Sequence, residues 1–505
     1  MLVIDAKIAN LSPKHKDFAT FALMTTESLK QRTAKGLFWG GVSNGGQQLL
    51  NALFGIFLAR LLSPADYGMV GMLTIFSLIA VSLQESGFIS ALNRKKEARA
   101  EDYNAVFWFN VLCSTTVYVL LFFLAPLIAQ WFRQPVLVPL ARLSFLSFVI
   151  SSFATTPRAW LFRTLRVKQT AVITMVALVA SGVTGVTLAW NGFAYWGIAI
   201  QNLTYCLFIT LGSWWAARWR PSMHIDLRPL RGMIGFSSKL LATNIFTHIN
   251  NNLFSLFFGR LYGERMVGYY NQANKWTGMG YNTLTGMVWS VTQPLFARLS
   301  YDDPQRMRYA FRKMLRLTCF LSFPALFGLG LIAPEFITLT ITEKWLPSAS
   351  LMQLLCVGGA FMPVASFYAN FVISQGKSNV FMYNTMAQCL VQMLCMVVLY
   401  PYGVEAMVEA YVAINVVWVA VWHAFVRHTV NTTFTDALRD ITPFMLVAAV
   451  AMAAGWAAAQ PVADCTVLSL VAKVVVAAAV YVGLMWLFGA AIMRECIAFV
   501  RHKGH

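Results

Sequence analysis

The sequence predicts an all-α membrane protein that crosses the bilayer about 14 times. Of its 505 residues, 58% are hydrophobic and only 12% are charged, about half the charge of a soluble domain. Apolar runs of roughly 20 residues recur along most of the chain, and each is long enough to span a hydrocarbon core of about 30 Å. The ninth and tenth predicted spans extend over about 314–342 and 347–374.

The basic residues are concentrated in alternate loops. The N-terminal tail and every second loop hold 30 of the 39 lysine and arginine residues, whereas the opposite loops hold only six. The positive-inside rule then predicts an inner-membrane protein with both termini in the cytoplasm, which an even number of spans also requires. This pattern explains the net charge of +19 without a nucleic-acid partner.

The chain repeats itself at an offset of 200 residues. Asn44 and Asn244, Arg60 and Arg260, and Gly68 and Gly268 are among eight identical pairs within 25 positions. Ala125-Pro126 and Ala333-Pro334 keep the same order at a slightly larger offset. Two parallel six-helix units are predicted, related by an axis along the membrane normal. The expected divisions are a tail at 1–35, an N-lobe at 36–232, a C-lobe at 233–430, and two extra helices with a tail at 431–505.

Polar residues form one stripe on the first helix of each unit. The stripes repeat at i, i+3, i+4 and i+7, which places each on one helix face. They are Asn44, Gln47, Gln48 and Asn51, and then Asn244, Thr247, His248 and Asn251. An unpaired amide in hydrocarbon costs several kcal/mol, so these faces must meet water, ligand or protein. Paired stripes favour the walls of a transport path, and the alternative is hydrogen bonding between helices.

A third stripe in the eighth span contains a lysine. It comprises Asn271, Asn274, Lys275 and Asn282. A lysine within a membrane usually faces a cavity, where it would attract an anion, and the alternatives are snorkelling or a structural ion pair. Lys473 in the last span is expected to snorkel or to contact a lipid phosphate.

Further candidates concern substrate entry and ion coupling. Six basic residues are expected at the cytoplasmic mouth, where they determine topology or attract an anionic head group. They are Arg94, Lys95, Lys96, Arg158, Arg163 and Lys239. Glu85 and His248 are candidates for H⁺ or Na⁺ coupling, with a structural role as the alternative for each. The eight cysteines form no CxxC motif or Cys/His cluster, so no metal or other cofactor is expected.

The motif LFWGGVSNGGQQLLNALFGIFLARLLSPADYGMVGM and its echo NNLFSLFFGRLYGERMVGYYNQANKW carry a family resemblance. They resemble the polysaccharide-transporter branch of the multidrug/oligosaccharidyl-lipid/polysaccharide exporter superfamily, and within it the colanic-acid and exopolysaccharide flippases. The resemblance implies two lobes in a V around a central cavity. It also implies alternating access and an undecaprenyl-pyrophosphate-linked oligosaccharide, moved to the periplasmic leaflet for surface polysaccharide synthesis.

Two other functions remain as alternatives. A cation-coupled multidrug exporter of the same superfamily would favour several buried carboxylates, whereas Lys275 would repel cationic drugs. A membrane polysaccharide polymerase or ligase would need a large catalytic loop, and no HExxH or GxSxG motif is present. A polymerase is instead expected as a partner of the transporter.

Overall fold

The computed structural model describes residues 29–85, Leu92, 99–164, 166–232, 234–298 and 304–487. These residues are largely helical and contain no β-strand, which confirms the all-α class. The helices of the described chain are α1 Leu29–Leu61, α2 Pro64–Glu85, α3 Ala100–Phe132, α4 Leu137–Arg163, α5 Val167–Trp190, α6 Ala194–Ala216, α7 Ile234–Leu261, α8 Glu264–Arg298, α9 Pro304–Leu331, α10 Ala333–Ile341, α11 Leu346–Gly359, α12 Met362–Ser374, α13 Ser378–Leu399, α14 Val404–Val430, α15 Phe434–Ala459 and α16 Thr466–Leu487.

Ten stretches of the described chain are long and apolar enough to cross a membrane, judged by length and composition. Helices α1, α6, α7 and α8 are long but are not among them, and the composition of α6 and α8 shows a reason. Both carry polar residues in mid-helix: Gln201 and Asn202 in α6, and the stripe around Lys275 in α8. The total of 14 crossings therefore stays a prediction.

Two of the predicted spans contain a break between helices. The run 314–342 divides between α9 and α10, with Pro334 in the first turn of α10. The run 347–374 divides between α11 and α12, with Pro363 in the first turn of α12. Proline lacks an N–H and its ring clashes with the preceding turn, so a helix readily restarts there. Pro126, the repeat counterpart of Pro334, lies inside the unbroken α3.

Following the division predicted at residues 232 and 233, we call helices α1–α6 the N-lobe and α7–α14 the C-lobe. In the N-lobe α3 packs on α4, α5 on α6, and α1 on α5. In the C-lobe α8 packs on α11 and α12, while α14 packs on α11, α12 and α13. The lobes meet chiefly where α2 packs against α7 and α8.

The offset-200 repeat appears directly in this interface. A Cβ atom on Gly68 would collide with the Glu264 carbonyl oxygen, and one on Gly268 would collide with that of Pro64. Since 64 and 264, like 68 and 268, differ by 200, the two contacts are equivalent. The pseudo-symmetry axis therefore passes between α2 and α8. We call this end of the bundle, which holds the α1–α2 and α7–α8 turns, the turn end.

Helices α15 and α16 lie outside the repeat and pack on each other and on α9. An ionic network fixes α15 to α9 at the end opposite the turn end. Asp440, only 1% exposed, lies 2.6 Å from Arg312 Nε and 2.5 Å from Arg316 Nη2. Arg308 extends the network to Asp436 at 3.0 Å. The extra helices are thus attached to the C-lobe.

Candidate functional site: a cavity between the lobes

A cavity of about 330 Å³ lies where α1, α2, α5, α6 and α8 converge. This volume is within the range of small-molecule pockets, about 300–1,000 Å³. Its polar lining residues are Gln48, Asn51, Tyr67, Ser181, Gln201 and Lys275. Phe54, Gly55, Leu58, Leu178, Ile198 and Met279 complete the lining, which therefore includes one cation and no carboxylate.

One face of α1 forms a wall of the cavity. Gln48, Asn51, Gly55 and Leu58 follow one another at helical spacing. Asn51 lies ten residues before the end of α1, and Lys275 lies 11 residues after the start of α8. At 1.5 Å per residue, both lie about 15–16 Å below the turn end. The amides and the cation therefore share one depth in the bundle.

Lys275 reaches from the C-lobe into a cavity that is otherwise walled mostly by the N-lobe. Its Nζ lies so close to Gly55 that a Cβ there would collide with the ammonium. The same Nζ lies 5.4 Å from the centre of the Trp276 ring. Lys275 forms no hydrogen bond or ion pair with another described residue, so its charge remains available to an anion.

Helices α5 and α6 supply polar groups that the sequence stripes did not identify. Ser181 and Gln201 line the cavity, and the Gln201 amide packs where a side chain on Gly185 would collide with it. Tyr67, three residues into α2, lines the cavity toward the turn end. An interrupted apolar run was a usable signal for Gln201, since Gln201 and Asn202 stand together in mid-helix.

The structure does not bring all the predicted stripe residues to this cavity. Gln47, Asn244, Thr247 and His248 are half-buried and do not line it. The side chains of Asn44 and Asn251 lie outside the described residues. Asn271 accepts a hydrogen bond from Ser255 Oγ at 2.8 Å, and its amide nitrogen packs against Gly71 at the lobe interface. Asn274 is half-buried and Asn282 is exposed, and neither lines the cavity.

The expected mouth residues are only partly described. Arg158 is exposed at the end of α4, and Arg163 donates to the carbonyl of Leu92 at 3.0 Å. Arg94, Lys95 and Lys96, and the side chain of Lys239, lie outside the described residues. So does the side chain of Glu85, one of the two coupling candidates. Across the described chain, no three His, Cys, Asp or Glu residues group as metal ligands would.

A second, apolar cavity of about 450 Å³ lies between α9, α15 and α16. Pro324, Met452 and Tyr481 are among its lining residues, and Lys473 is the cation in that lining. Lys473 does not snorkel, because it is only 8% exposed and its Nζ lies 2.5 Å from Glu335 Oε1. Ser469 Oγ donates to the same carboxylate oxygen at 2.9 Å.

A family model described as "Polysaccharide biosynthesis protein" matches residues 57–350, more than half of the chain. The chain belongs to this family. The matched residues include the turn end, most of the cavity lining and Lys275. The predicted assignment to a polysaccharide family is thereby confirmed.

Individual relatives agree with the family assignment. The lipopolysaccharide biosynthesis protein WzxC of Escherichia coli (strain K12) is 25% identical over 359 residues, 70% of this chain and 72% of that protein. The succinoglycan biosynthesis transport protein ExoT of Rhizobium meliloti is 23% identical over 358 residues, 71% of this chain and 72% of ExoT. The structure of the lipid II flippase MurJ in an inward closed conformation shares the fold. Its TM-score is 0.69 at 13% identity, over 91% of this chain and all of that chain.

Proposed function

We propose that this protein is a flippase for undecaprenyl-pyrophosphate-linked oligosaccharides, which it moves from the cytoplasmic to the periplasmic leaflet for surface polysaccharide synthesis. One observation carries the proposal: the interlobe cavity joins a lysine, unpaired within the described chain, to amides and hydroxyls and has no carboxylate in its lining. The lysine attracts the pyrophosphate, while amides donate to and accept from sugar hydroxyls. The family and the names of its relatives point to the same substrate class.

The second cavity provides a place for the lipid. Its lining is apolar except for Lys473, whose charge is paired with Glu335. Apolar surface there accommodates a polyprenyl tail, while the sugar head group occupies the polar cavity. Under the positive-inside rule the turn end faces the periplasm, and the path runs from the opposite end of the bundle toward it. An H⁺ or Na⁺ gradient drives the cycle, and a polymerase uses the delivered units.

The multidrug alternative fits the cavity less well. A cationic drug would meet Lys275 without a carboxylate in the lining to balance the charge. An anionic pyrophosphate gains attraction at the same position. The charge of this one side chain thus separates the two functions.

The direct test measures flipping in proteoliposomes that contain a fluorescent lipid-linked oligosaccharide. Wild-type protein should accelerate its movement between leaflets, while Lys275→Met should abolish most of that movement. Lys377→Met is the matched control, since Lys377 is exposed just before α13 and does not line the cavity. No acceleration by the wild type under any ion gradient would contradict the proposal.

A deletion strain gives an independent test in cells. Lipid-linked repeat units should accumulate on the cytoplasmic leaflet, and their chemical analysis would identify the sugars. Normal surface polysaccharide combined with new drug sensitivity would favour the multidrug exporter instead.

A further inference from the structure

The two lobes cap each other's helix ends at the turn end. Arg60, near the end of α1, donates from Nε to the Thr340 carbonyl at 2.6 Å and from Nη2 to the Leu339 carbonyl at 2.7 Å. In return, Lys344 Nζ donates to the Arg60 carbonyl at 2.7 Å. Trp345 Nε1 donates to the Ala59 carbonyl at 2.8 Å. We call Arg60, Lys344 and Trp345, with the carbonyls they contact, the interlobe latch.

Each bond satisfies a group that its own helix leaves unpaired. The last four carbonyls of an α-helix have no partner within the helix, and its C-terminus attracts positive charge. Leu339 and Thr340 belong to the last turn of α10, and Ala59 and Arg60 to that of α1. Separating the lobes would therefore expose unpaired carbonyls on both sides at once.

The sequence repeat explains why the arginine stands there. Arg60 and Arg260 are identical at offset 200, and Ala125-Pro126 corresponds to Ala333-Pro334 at offset 208. By the second offset Trp131 corresponds to Leu339. The guanidinium of Arg260 lies 5.4 Å from the centre of the Trp131 ring. At the equivalent position, Arg60 donates to the Leu339 carbonyl. In each repeat, the arginine at the end of the first helix thus contacts the equivalent position of the other repeat.

The two arginines are engaged unequally. Arg60 bonds two carbonyls, whereas Nη1 of Arg260 is buried without a hydrogen-bond partner among the described residues. The latch therefore depends mainly on Arg60, although both arginines derive from the same repeat position.

The latch is joined to the cavity through two aromatic rings. Trp345 packs edge-on against Tyr67, with ring centres 5.3 Å apart at 87°, and Tyr67 lines the cavity on its turn-end side. Trp345 is fully buried. Opening the latch would therefore move Tyr67, which lines the cavity.

We infer that the interlobe latch holds the turn end closed and must break for the cavity to open there. This inference rests on the proposed flippase function and on the alternating access that the family resemblance implies. The labelling test that follows depends on no substrate, however, so it can fail or succeed independently of the flippase assignment.

The test measures thiol labelling from outside intact cells. Asn51→Cys places a thiol in the cavity, in a Cys465→Ser background because native Cys465 is exposed. With the latch formed, a membrane-impermeant maleimide should label the introduced thiol slowly. Arg60→Ala should raise the labelling rate about tenfold, since loss of charge-assisted bonds shifts the closed population. Trp345→Phe, which loses one neutral bond, should raise it less, and Arg260→Ala should also raise it less than Arg60→Ala.

Arg142→Ala is the matched control. The Arg142 guanidinium also meets a backbone carbonyl and an aromatic ring, those of Phe122, but both residues belong to the N-lobe. It should leave the labelling unchanged. In a separate sample that keeps Cys465 and lacks Asn51→Cys, Cys465 in the loop between α15 and α16 shows which side of the membrane the reagent reaches. Equal labelling in Arg60→Ala and Arg142→Ala, with both variants folded, would overturn the latch. If Arg60→Ala does not fold, the same labelling comparison is made with Arg60→Lys.

Discussion

Lys275 in the C-lobe and Gly55 in the N-lobe are in contact across the cavity. The ammonium occupies the space that a Cβ atom on Gly55 would need. The absence of a side chain in α1 is thus what lets a cation of one lobe enter the cavity of the other.

We expect Gly55→Ala to impair transport while the protein remains folded. Its methyl group would displace the Lys275 ammonium, so the anion would lose its partner at the correct depth. Gly45→Ala is the control in the same helix, because a Cβ there meets no atom within 4 Å. Flipping should fall several-fold in Gly55→Ala only, as measured with the fluorescent lipid-linked sugar. Equal rates for the two variants would show that Gly55 does not position Lys275.

The flipping rate should depend on the polar residues that line the cavity, and not on every residue of the predicted polar stripes. Asn51→Leu removes an amide that lines the cavity. A lost hydrogen bond of about 0.5–1.5 kcal/mol corresponds to a roughly 2–13-fold slower rate. Asn282→Leu removes an exposed amide of the α8 stripe that does not line the cavity. It should be silent in the same flipping assay. A larger loss in Asn282→Leu than in Asn51→Leu would contradict this assignment.

The close contacts of Gly68 with Glu264 and of Gly268 with Pro64 should be needed for stability. Either Gly→Ala substitution would force α2 and α8 apart, and overpacking of this kind costs about 1–3 kcal/mol. We expect a lower thermal unfolding temperature in detergent for both variants, of similar size because their contacts are equivalent. Gly286→Ala, at a position with no atom within 4 Å of the added carbon, should not lower it. An unchanged unfolding temperature in Gly68→Ala would refute the close contact.

Sequence reasoning predicts two lobes because duplication leaves identities at a fixed offset, such as Arg60 with Arg260. It found Gln48, Asn51 and Lys275 because polar groups in apolar helices need a special environment. It did not separate them from Asn271, whose partner Ser255 lies on the neighbouring helix α7. Helical spacing defines a face, but the opposing element decides whether that face meets a cavity or a protein group. Tyr67 and Gly55 were not predicted as cavity residues, because neither interrupts the apolar pattern of its helix.

The Lys473–Glu335 pair should be structural and separable from transport. Lys473→Met would leave a buried carboxylate, and breaking such a pair costs about 3–5 kcal/mol. The unfolding temperature should therefore fall clearly in this variant. Adding Glu335→Leu removes the unpaired charge and should restore most of the loss, since apolar replacement of a buried pair is often neutral. If the double variant Lys473→Met, Glu335→Leu is stable and still flips lipid-linked sugar, the role of Lys473 is structural: it attaches α16 to α10. Normal stability with lost flipping would show that the lysine contacts the lipid phosphate instead.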